Sequence, residues 1–275
     1  MEIQLWRQIL SPYELAVKEL TDKFNHIIWE HRAANLYSPI ESVEGRVKSI
    51  TSILDKMQKK GIKAEQIERK IEDIAGIRII CQFVEDIETV AEMIRNRSDM
   101  KVKYEKDYIN HMKESGYRSY HMIIYYNVET LNGCRTIMAE IQIRTMAMDF
   151  WATIEHSLQY KYKSQIPEHM RKKLSKVADT IISLDNEMST VRSEIMDAQN
   201  DSQLQLSMVA DILNDIEIIF KRTSEREAIK IQDEFYRIYS MNDLEQLEKF
   251  HRQLDIIVES YRAQTVNHEY LKGSF

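Results

Sequence analysis

Three polar residues lie at alternate positions in an otherwise apolar stretch, Thr136 to Arg144. Glu140, Gln142 and Arg144 alternate with alanine and isoleucine, and a period of two sends the two sets to opposite faces of a β-strand. A carboxylate, an amide and a guanidinium are costly on a strand unless polar groups lie against them. The polar face of this strand is therefore the first candidate for an active site.

A second group of polar side chains is predicted where a strand over residues 40–48 meets a helix with Ser49 as its N-cap. Its members, which would converge at this junction, are Arg46, Lys48, Ser52 and Lys56. A helix N-terminus favours anions through its free N–H groups and its dipole. The group is either a polyphosphate site or a solvated charged surface, and the two interpretations have about equal weight.

The loop over residues 109–119 combines an aromatic ring with cations. Lys113 and Tyr117 lie around Gly116, and His121 follows. A ring beside cations suits a nucleobase and its phosphates, and glycine lets the backbone approach a ligand closely. The alternative is an ordinary solvated hairpin end.

The composition limits the classes of protein to consider. The chain has 275 residues and a net charge of -6, so no global basic field attracts nucleic acid or a membrane. An anionic ligand must therefore be held by a local cluster of cations. The only cysteines, Cys81 and Cys134, give neither a disulfide framework nor metal-ligand spacing. Without a signal peptide or a membrane-length apolar run, the sequence predicts a cytoplasmic protein.

The pattern of apolar residues predicts an α+β fold, with a mixed β-sheet flanked by helices and an all-helical C-terminal extension. Pro12 suits a first helical turn, Asp86 a helix N-cap, and Asn132-Gly133 a hairpin turn. Asp73 lies just before the second strand. The predicted elements are helix 12–32, strand 40–48, helix 50–60, helix 64–71, strand 77–83, helix 86–95, strand 100–108, strand 120–128, strand 136–144 and helix 146–162.

Four apolar residues share one face of the helix over residues 146–162, and their spacing predicts that this face is buried. They are Met146, Phe150, Ile154 and Leu158, and Trp151 and Tyr162 widen this predicted buried stripe. His156 lies on another side, where a lone histidine is more often a structural hydrogen-bond partner than part of a ligand site.

The composition changes after Pro167. Seven apolar residues follow in alternating steps of three and four, an a/d heptad pattern that predicts an oligomerisation helix over residues 166–200. They are Leu174, Val177, Ile181, Leu184, Met188, Val191 and Ile195. Residues 201–275 form a predicted extension of amphipathic helices over 204–220, 225–239 and 244–261, the last capped by Asn242 or Asp243. This extension concentrates no catalytic residue types, which favours a helical bundle or an oligomerisation surface.

Four stretches in this order resemble the RelA/SpoT-type (p)ppGpp synthetases, in particular the stand-alone small alarmone synthetases of the RelQ type. They are GRVKSITSILDK at 45–56, DIAGIRIICQF at 73–83, HMKESGYRSYH at 111–121 and EIQIRTMAMDFWATIEHSLQYKY at 140–162. The resemblance covers residues 5 to 200 and implies a nucleotidyltransferase-like synthetase core over residues 1–165. The reaction it implies moves the β,γ-pyrophosphate of ATP to the ribose 3′-hydroxyl of GDP or GTP, with Mg²⁺.

The resemblance also implies roles for individual residues. Asp73 and Glu140 match the carboxylates that hold Mg²⁺, Glu140 also matches the group that activates the 3′-hydroxyl, and Tyr117 matches a tyrosine that stacks on guanine. The implied ATP-binding residues are Arg46, Lys48, Ser52, Lys56 and Arg78. The implied GTP- or GDP-binding residues are Lys113, Tyr117, His121, Gln142, Arg144 and His156.

Three further expectations follow. The chain has no His-Asp pair, the metal motif of the hydrolase domain in long family members, so we expect synthesis without hydrolysis. The RelQ-type homotetramer, built partly through C-terminal helices, fits the heptad pattern. Asp73 and Glu140 can share one ion only if their strands lie close together in the sheet.

Two alternatives remain. The first is a non-catalytic regulator on the same fold that binds nucleotides or single-stranded RNA. The second is another nucleotidyltransferase, which would share the carboxylates but would not need the loop around Tyr117.

Overall fold

The computed structural model describes residues 2–161, 167–241 and 243–272. Its five β-strands are Ser42–Val47 (β1), Ala75–Cys81 (β2), Met100–Asp107 (β3), Tyr120–Thr130 (β4) and Gly133–Thr145 (β5). They form one sheet in the order β1-β2-β5-β4-β3. Strand β2 is parallel to β5, and the other neighbours are antiparallel. The predicted mixed sheet is therefore confirmed.

Helices account for most of the remaining described residues. They are Glu2–Ala33 (α1), Ile50–Lys60 (α2), Ile67–Lys70 (α3), Val84–Arg95 (α4), Met146–Lys161 (α5), Glu168–Phe220 (α6), Glu225–Met241 (α7) and Leu244–Lys272 (α8). A 3₁₀ turn, Ala64–Gln66, precedes α3. Within the described parts of the chain, no helix is both long and apolar enough to span a membrane.

The apolar face of β5 lies at the centre of the core. Ile137, Ala139, Ile141 and Ile143 are at most 4% exposed and belong to one cluster with buried residues of α1 and α4. Helices therefore cover this face of the sheet. The opposite face carries the polar residues of β5, as the period of two predicts.

The junction between β1 and α2 forms as its sequence predicts. The Ser49 side chain accepts a hydrogen bond from the Ser52 N–H, and Gly61 ends the helix with φ +61°. A left-handed C-cap strongly favours glycine, because other residues pay a steric cost there. The junction thus fixes where Lys48 and Lys56 stand relative to the sheet.

Two predicted helix starts were wrong. Helix α1 begins at Glu2, so Pro12 lies inside the helix and not in its first turn. The earlier turns persist because Leu10 is buried and Trp6 and Ile9 pack against the core. Helix α4 begins at Val84, and Asp86 stands in its first turn, where its carboxylate accepts from the Phe83 N–H at 3.2 Å.

The apolar stripe predicted to be the buried face of α5 is largely exposed. Met146, Phe150 and Ile154 are 58%, 62% and 43% exposed. Trp151 is buried, as predicted, together with Met148 and Ala152, and Tyr162 lies outside the described residues. Helical spacing identified residues that share a face, but the fold buries another face of the same helix.

The C-terminal part is helical, as predicted, but its helix boundaries differ. Helix α6 runs through residue 200 as one element of 53 residues, where the sequence suggested two helices. By its internal contacts the chain divides into one unit up to Val191 and a second from Arg192. The functional boundaries at residues 165 and 200 stay predictions.

The second unit has its own apolar core. Buried residues of α6, α7 and α8 form it, among them Ile212, Phe235 and Leu254. Asp243 caps α8, since its carboxylate accepts from the Gln246 N–H at 3.1 Å. The other predicted cap, Asn242, lies outside the described residues.

Candidate active site

Asp73 and Glu140 meet on the polar face of the sheet. Gly76 stands opposite Glu140 in the parallel β2–β5 ladder, and Asp73 comes three residues before Gly76. Both carboxylates line one cleft of about 60 Å³. The structure therefore meets the geometric condition that their strands lie close together.

Asp73 is held by two lysines of the predicted cation cluster. Lys48 Nζ and Lys56 Nζ each donate to one of its carboxylate oxygens at 2.8 Å. Burial by itself would raise the pKa of Asp73, but the hydrogen bonds and charges of the two lysines outweigh it and lower the pKa. Asp73 is thus ionised at neutral pH.

Glu140 is held by side chains of β4 and β5. His121 Nδ1 lies 3.0 Å from its Oε1, and Gln142 Nε2 donates to its Oε2 at 2.8 Å. Burial opposes ionisation, but these contacts lower the pKa of Glu140 below its usual value. The negative charge of Asp73 raises the pKa of Glu140, but this effect is smaller.

Five side chains form a closed ring of hydrogen bonds around Glu140. Beyond the two bonds to Glu140, Arg144 Nη2 donates to Gln142 Oε1 at 2.7 Å and to the Tyr117 hydroxyl at 2.6 Å. The Tyr117 hydroxyl lies 2.9 Å from His121 Nε2, which closes the ring. His121 thus links the Glu140 carboxylate, through Nδ1, to the Tyr117 hydroxyl, through Nε2. The ring fixes His121, Tyr117, Arg144 and Gln142 relative to Glu140.

A larger cleft of about 540 Å³ adjoins the carboxylates. Seven of the predicted site residues line it, namely Arg46, Arg78, Lys113, Tyr117, Gln142, Arg144 and the exposed His156. Ser52 is absent from the lining of both clefts, and its hydroxyl accepts from Ser49 Oγ at 2.8 Å. The structure thus brings most of the predicted residues to one connected surface and leaves Ser52 at the helix cap.

Arg78 retains an unused donor. Its Nε is buried and makes no hydrogen bond to any residue that the structure describes. The nearest anions are Asp149 Oδ1, 3.4 Å from Nε, and Glu44 Oε2, 3.4 Å from Nη1. The Arg78 side chain is 26% exposed and lines both clefts, so its terminal nitrogens suit a phosphate oxygen.

Aromatic rings and cations are layered in the loop before β4. Lys113 Nζ lies 4.7 Å from the ring centroids of both Tyr108 and Tyr117, and the Arg144 guanidinium lies 5.2 Å from that of Tyr117. Tyr108 also meets Tyr117 edge to face, at a centroid distance of 6.1 Å. This arrangement provides a cationic aromatic surface for a base.

Sequence reasoning did not identify Asp149, Ser119 and Tyr108 as site residues. Asp149 pairs with Arg144 at 3.2 Å and with Arg78 at 3.4 Å, so it joins the two sides of the site. The Ser119 hydroxyl, which is buried, accepts from Arg144 Nε at 3.1 Å. Asp149 carried one usable signal, since a carboxylate in the first turn of the helix after β5 stands near the end of that strand.

A family model described as "Region found in RelA / SpoT proteins" matches residues 45–165. The chain is 47% identical over 199 residues to the GTP pyrophosphokinase YjbM of Bacillus subtilis, a match that covers 72% of this chain and 94% of that protein.

Solved structures agree with this match. The small alarmone synthetase 1 of Bacillus subtilis bound to its product pppGpp has a TM-score of 0.68 and 47% identity, over 70% of this chain and 98% of that one. The same enzyme bound to AMPCPP has a TM-score of 0.63 and 42% identity, over 70% and 98% of the two chains.

Proposed function

The chain belongs to the RelA/SpoT family of (p)ppGpp synthetases, and from this premise we propose that it transfers the β,γ-pyrophosphate of ATP to the 3′-hydroxyl of GDP or GTP. It is a GTP pyrophosphokinase, and the proposed activity is synthesis alone, in keeping with its small alarmone synthetase relatives.

One observation carries the proposal. The carboxylates of Asp73 and Glu140 line one cleft between a group of cations and an aromatic loop. A protein that only bound nucleotides would gain nothing from two carboxylates facing a polyphosphate. Pyrophosphoryl transfer needs positioning, charge neutralisation and a base, and this arrangement supplies all three.

Glu140 is the proposed base for the 3′-hydroxyl. Its lowered pKa keeps it ionised at neutral pH, so one carboxylate oxygen can accept the hydroxyl proton. His121 and Gln142 hold it by hydrogen bonds of 3.0 and 2.8 Å, which restricts its rotation. The proton therefore has an acceptor at a fixed position.

The pyrophosphokinase family generally uses a divalent metal ion, and we propose Mg²⁺ here. Asp73 and Glu140 would hold it, because Mg²⁺ prefers oxygen ligands and completes its shell with water and substrate oxygens. The residues fit the ion, since two carboxylates share one cleft and each carboxylate oxygen has lone pairs beyond those used by its present partners. The bound ion supplies charge neutralisation on the transferred phosphates.

The two nucleotides have separate proposed sites. Cations on β1, α2 and β2 bind the ATP phosphates; they are Arg46, Lys48, Lys56 and Arg78, with Ser52 beside them at the helix N-terminus. Tyr117 stacks on guanine, and the other proposed acceptor residues are Lys113, His121, Gln142, Arg144 and His156. The related enzyme of Bacillus subtilis has been solved bound to AMPCPP, an analogue of ATP, which supports a site for a donor nucleotide.

A homotetramer is the proposed assembly. Five residues of the heptad pattern are 44% to 52% exposed in the single chain, which leaves an apolar stripe for a second copy; they are Val177, Leu184, Met188, Val191 and Ile195. Sedimentation that gave a monomer at micromolar concentration would contradict this assembly. Binding of single-stranded RNA stays a candidate side function, which a steep salt dependence of RNA affinity would reveal.

The test of the reaction is direct. Purified protein is incubated with ATP, Mg²⁺ and either GDP or GTP, and the products are separated by anion-exchange chromatography. We expect guanosine tetraphosphate from GDP and pentaphosphate from GTP, together with AMP. If neither product formed, the regulator or another nucleotidyltransferase would replace this proposal.

A further inference from the structure

The first part of α6 packs directly behind the loop that carries Tyr117. Ala178 is 3% exposed and forms a small buried cluster with Trp151 and Ala152 of α5. Tyr117 and Ile181 pack against the same cluster. The proposed guanine-stacking residue therefore rests on a surface made by two helices.

Gly116 makes this approach possible. Its φ is +87°, a conformation that other residues rarely adopt, and a Cβ atom added there would lie 2.4 Å from the Cβ of Ala178. Both the backbone angle and the contact require glycine. The loop is thus fitted closely to the face of α6.

Asp185 lies two turns after Ala178 along α6, in the buried region behind the loop. The residue is 5% exposed, and its Oδ2 accepts from the Thr145 hydroxyl at 3.0 Å. Thr145 ends β5, and its hydroxyl accepts from the Met148 N–H at 3.1 Å. Asp185 therefore contacts the point where the catalytic strand turns into α5.

The same carboxylate faces Arg118, the residue next to Tyr117. Arg118 Nη1 lies 3.8 Å from Asp185 Oδ2, and the two side chains are 10% and 5% exposed. This nitrogen is buried and has no hydrogen bond to any residue within the described ranges. Burial raises the pKa of Asp185 and lowers the pKa of Arg118, so each charge depends on the other.

Neither member of this pair lines the two clefts of the active site. Neither one contacts the lysines that hold Asp73 in any described hydrogen bond or ion pair. A loss of the pair should therefore disturb the loop of Tyr117 and leave the opposite end of the sheet in place.

We propose that Asp185 is a positioning residue for the acceptor nucleotide, which acts through Arg118 to hold Tyr117 against α6. The inference rests on the proposed function of Tyr117. It also gives α6 a second role, since the helix that carries the exposed heptad stripe contacts the acceptor loop through Ala178, Ile181 and Asp185, beside that stripe.

The main test compares Asp185→Asn with Asp179→Asn. Asparagine keeps the size of the side chain and can still accept from Thr145, but it removes the charge that faces Arg118. Asp179 is an exposed aspartate of the same helix and serves as the matched control. We expect KM for GDP to rise about tenfold in Asp185→Asn, the equivalent of losing about 1.4 kcal/mol of binding, with KM for ATP unchanged. The control should change neither constant.

A double-mutant cycle separates positioning from simple loss of stability. If Asp185 acts through Arg118, Arg118→Met should raise KM for GDP to the same extent, and the double variant should be no worse than either single variant. Gly116→Ala should give the same acceptor-selective change, because its new methyl group displaces the loop from Ala178. Thermal unfolding is measured for every variant.

Three results would overturn the inference: an unchanged KM for GDP in Asp185→Asn, equal increases in both KM values that follow the loss of thermal stability, or additive effects in the cycle. The affinity for GDP is also measured by calorimetry without ATP. If the wild-type protein formed no product, only the proposed reaction would be contradicted. In that case, weaker GDP binding by Asp185→Asn would still support the role of Asp185 in placing the loop.

Discussion

The two ends of the polar face of the sheet hold charge in different ways. At the proposed donor end, two lysines contact the Asp73 carboxylate. The side chains of Lys48 and Lys56 are 20% and 27% exposed, and Arg46 is exposed. At the acceptor end, the Arg144 side chain is 6% exposed and belongs to a closed ring of hydrogen bonds. The proposed donor end is a group of partly exposed cations, whereas the proposed acceptor end is a mostly buried, hydrogen-bonded surface.

This difference fits the ligands proposed for the two ends. A triphosphate presents diffuse charge, and long cationic side chains can follow its oxygens. A guanine ring and one ribose hydroxyl must instead meet fixed partners, because a displacement of about 1 Å can cost about 100-fold in rate. Substitutions should therefore act through charge at the donor end and through geometry at the acceptor end.

The largest expected effect lies between the two ends. Glu140→Gln keeps the size of the side chain but removes the proposed base, and we expect kcat to fall by about 100- to 10,000-fold. Product formation from ATP and GDP measures this change. Glu92→Gln, at an exposed glutamate of α4 that lines neither cleft, is the control and should retain most activity. Similar losses in the two variants would contradict a special role for Glu140.

The next effect should appear only at the acceptor end. Tyr117→Ala removes a proposed stacking surface worth about 1–3 kcal/mol, so KM for GDP should rise by roughly 5- to 150-fold while KM for ATP stays constant. Tyr117→Phe keeps the ring but loses the hydroxyl that joins Arg144 to His121, and it should have a smaller effect on KM. If both nucleotides lost affinity equally in Tyr117→Ala, the division into two ends would be wrong.

Added salt should affect KM for the two nucleotides to different extents, with a smaller effect than the substitutions above. Exposed charges are screened over about 8 Å at physiological ionic strength, whereas buried groups are screened much less. We therefore expect KM for ATP to rise more steeply with added salt than KM for GDP, as measured by initial rates across a salt series. Lys48→Gln should flatten the ATP dependence, and an equal slope for both nucleotides would argue against the contrast.

The smallest effect concerns stability and pH. The folded state lowers the pKa of Asp73 below its ordinary value of 3.8, so the contacts of Asp73 with Lys48 and Lys56 stabilise the fold above that pH. This contribution is lost as the pH falls through the lowered pKa of the folded state. Urea unfolding should show Asp73→Asn to be less stable than wild type at pH 7, with the difference shrinking below about pH 4.

The control for the pH prediction is Asp55→Asn. Asp55 pairs with Lys59 at 2.8 Å, but both side chains are mostly exposed, so its removal should change stability little at any pH. A deficit in Asp73→Asn that persisted unchanged at low pH would show that its cause is not the charge of Asp73.

Local rules made much of the fold predictable. The period of two placed Glu140, Gln142 and Arg144 together on one face of β5, and the caps at Ser49 and Gly61 gave the bounds of α2. These features depend on neighbours in the chain, which the sequence displays directly. The resemblance then brought Asp73, on another strand, into the same site.

The errors arose where distant contacts decide the outcome. Helical spacing grouped Met146, Phe150 and Ile154 correctly on one face of α5, but packing leaves those three exposed and buries Met148 beside the correctly predicted Trp151. Pro12 suited a helix start, yet packing of residues before it against the core extends α1 to Glu2. Periodicity states which residues share a face, and only packing states which face is covered.

The sequence by itself determined the residue types of the site, their strands and helices, and the family to which they belong. Only the tertiary structure decided that five of them close a hydrogen-bonded ring, that Asp149 joins Arg78 to Arg144, and that Asp185 lies behind the acceptor loop. The physical reason is range: alternation and capping act over a few residues, whereas these contacts join side chains that the folding of the sheet and of α6 brings together.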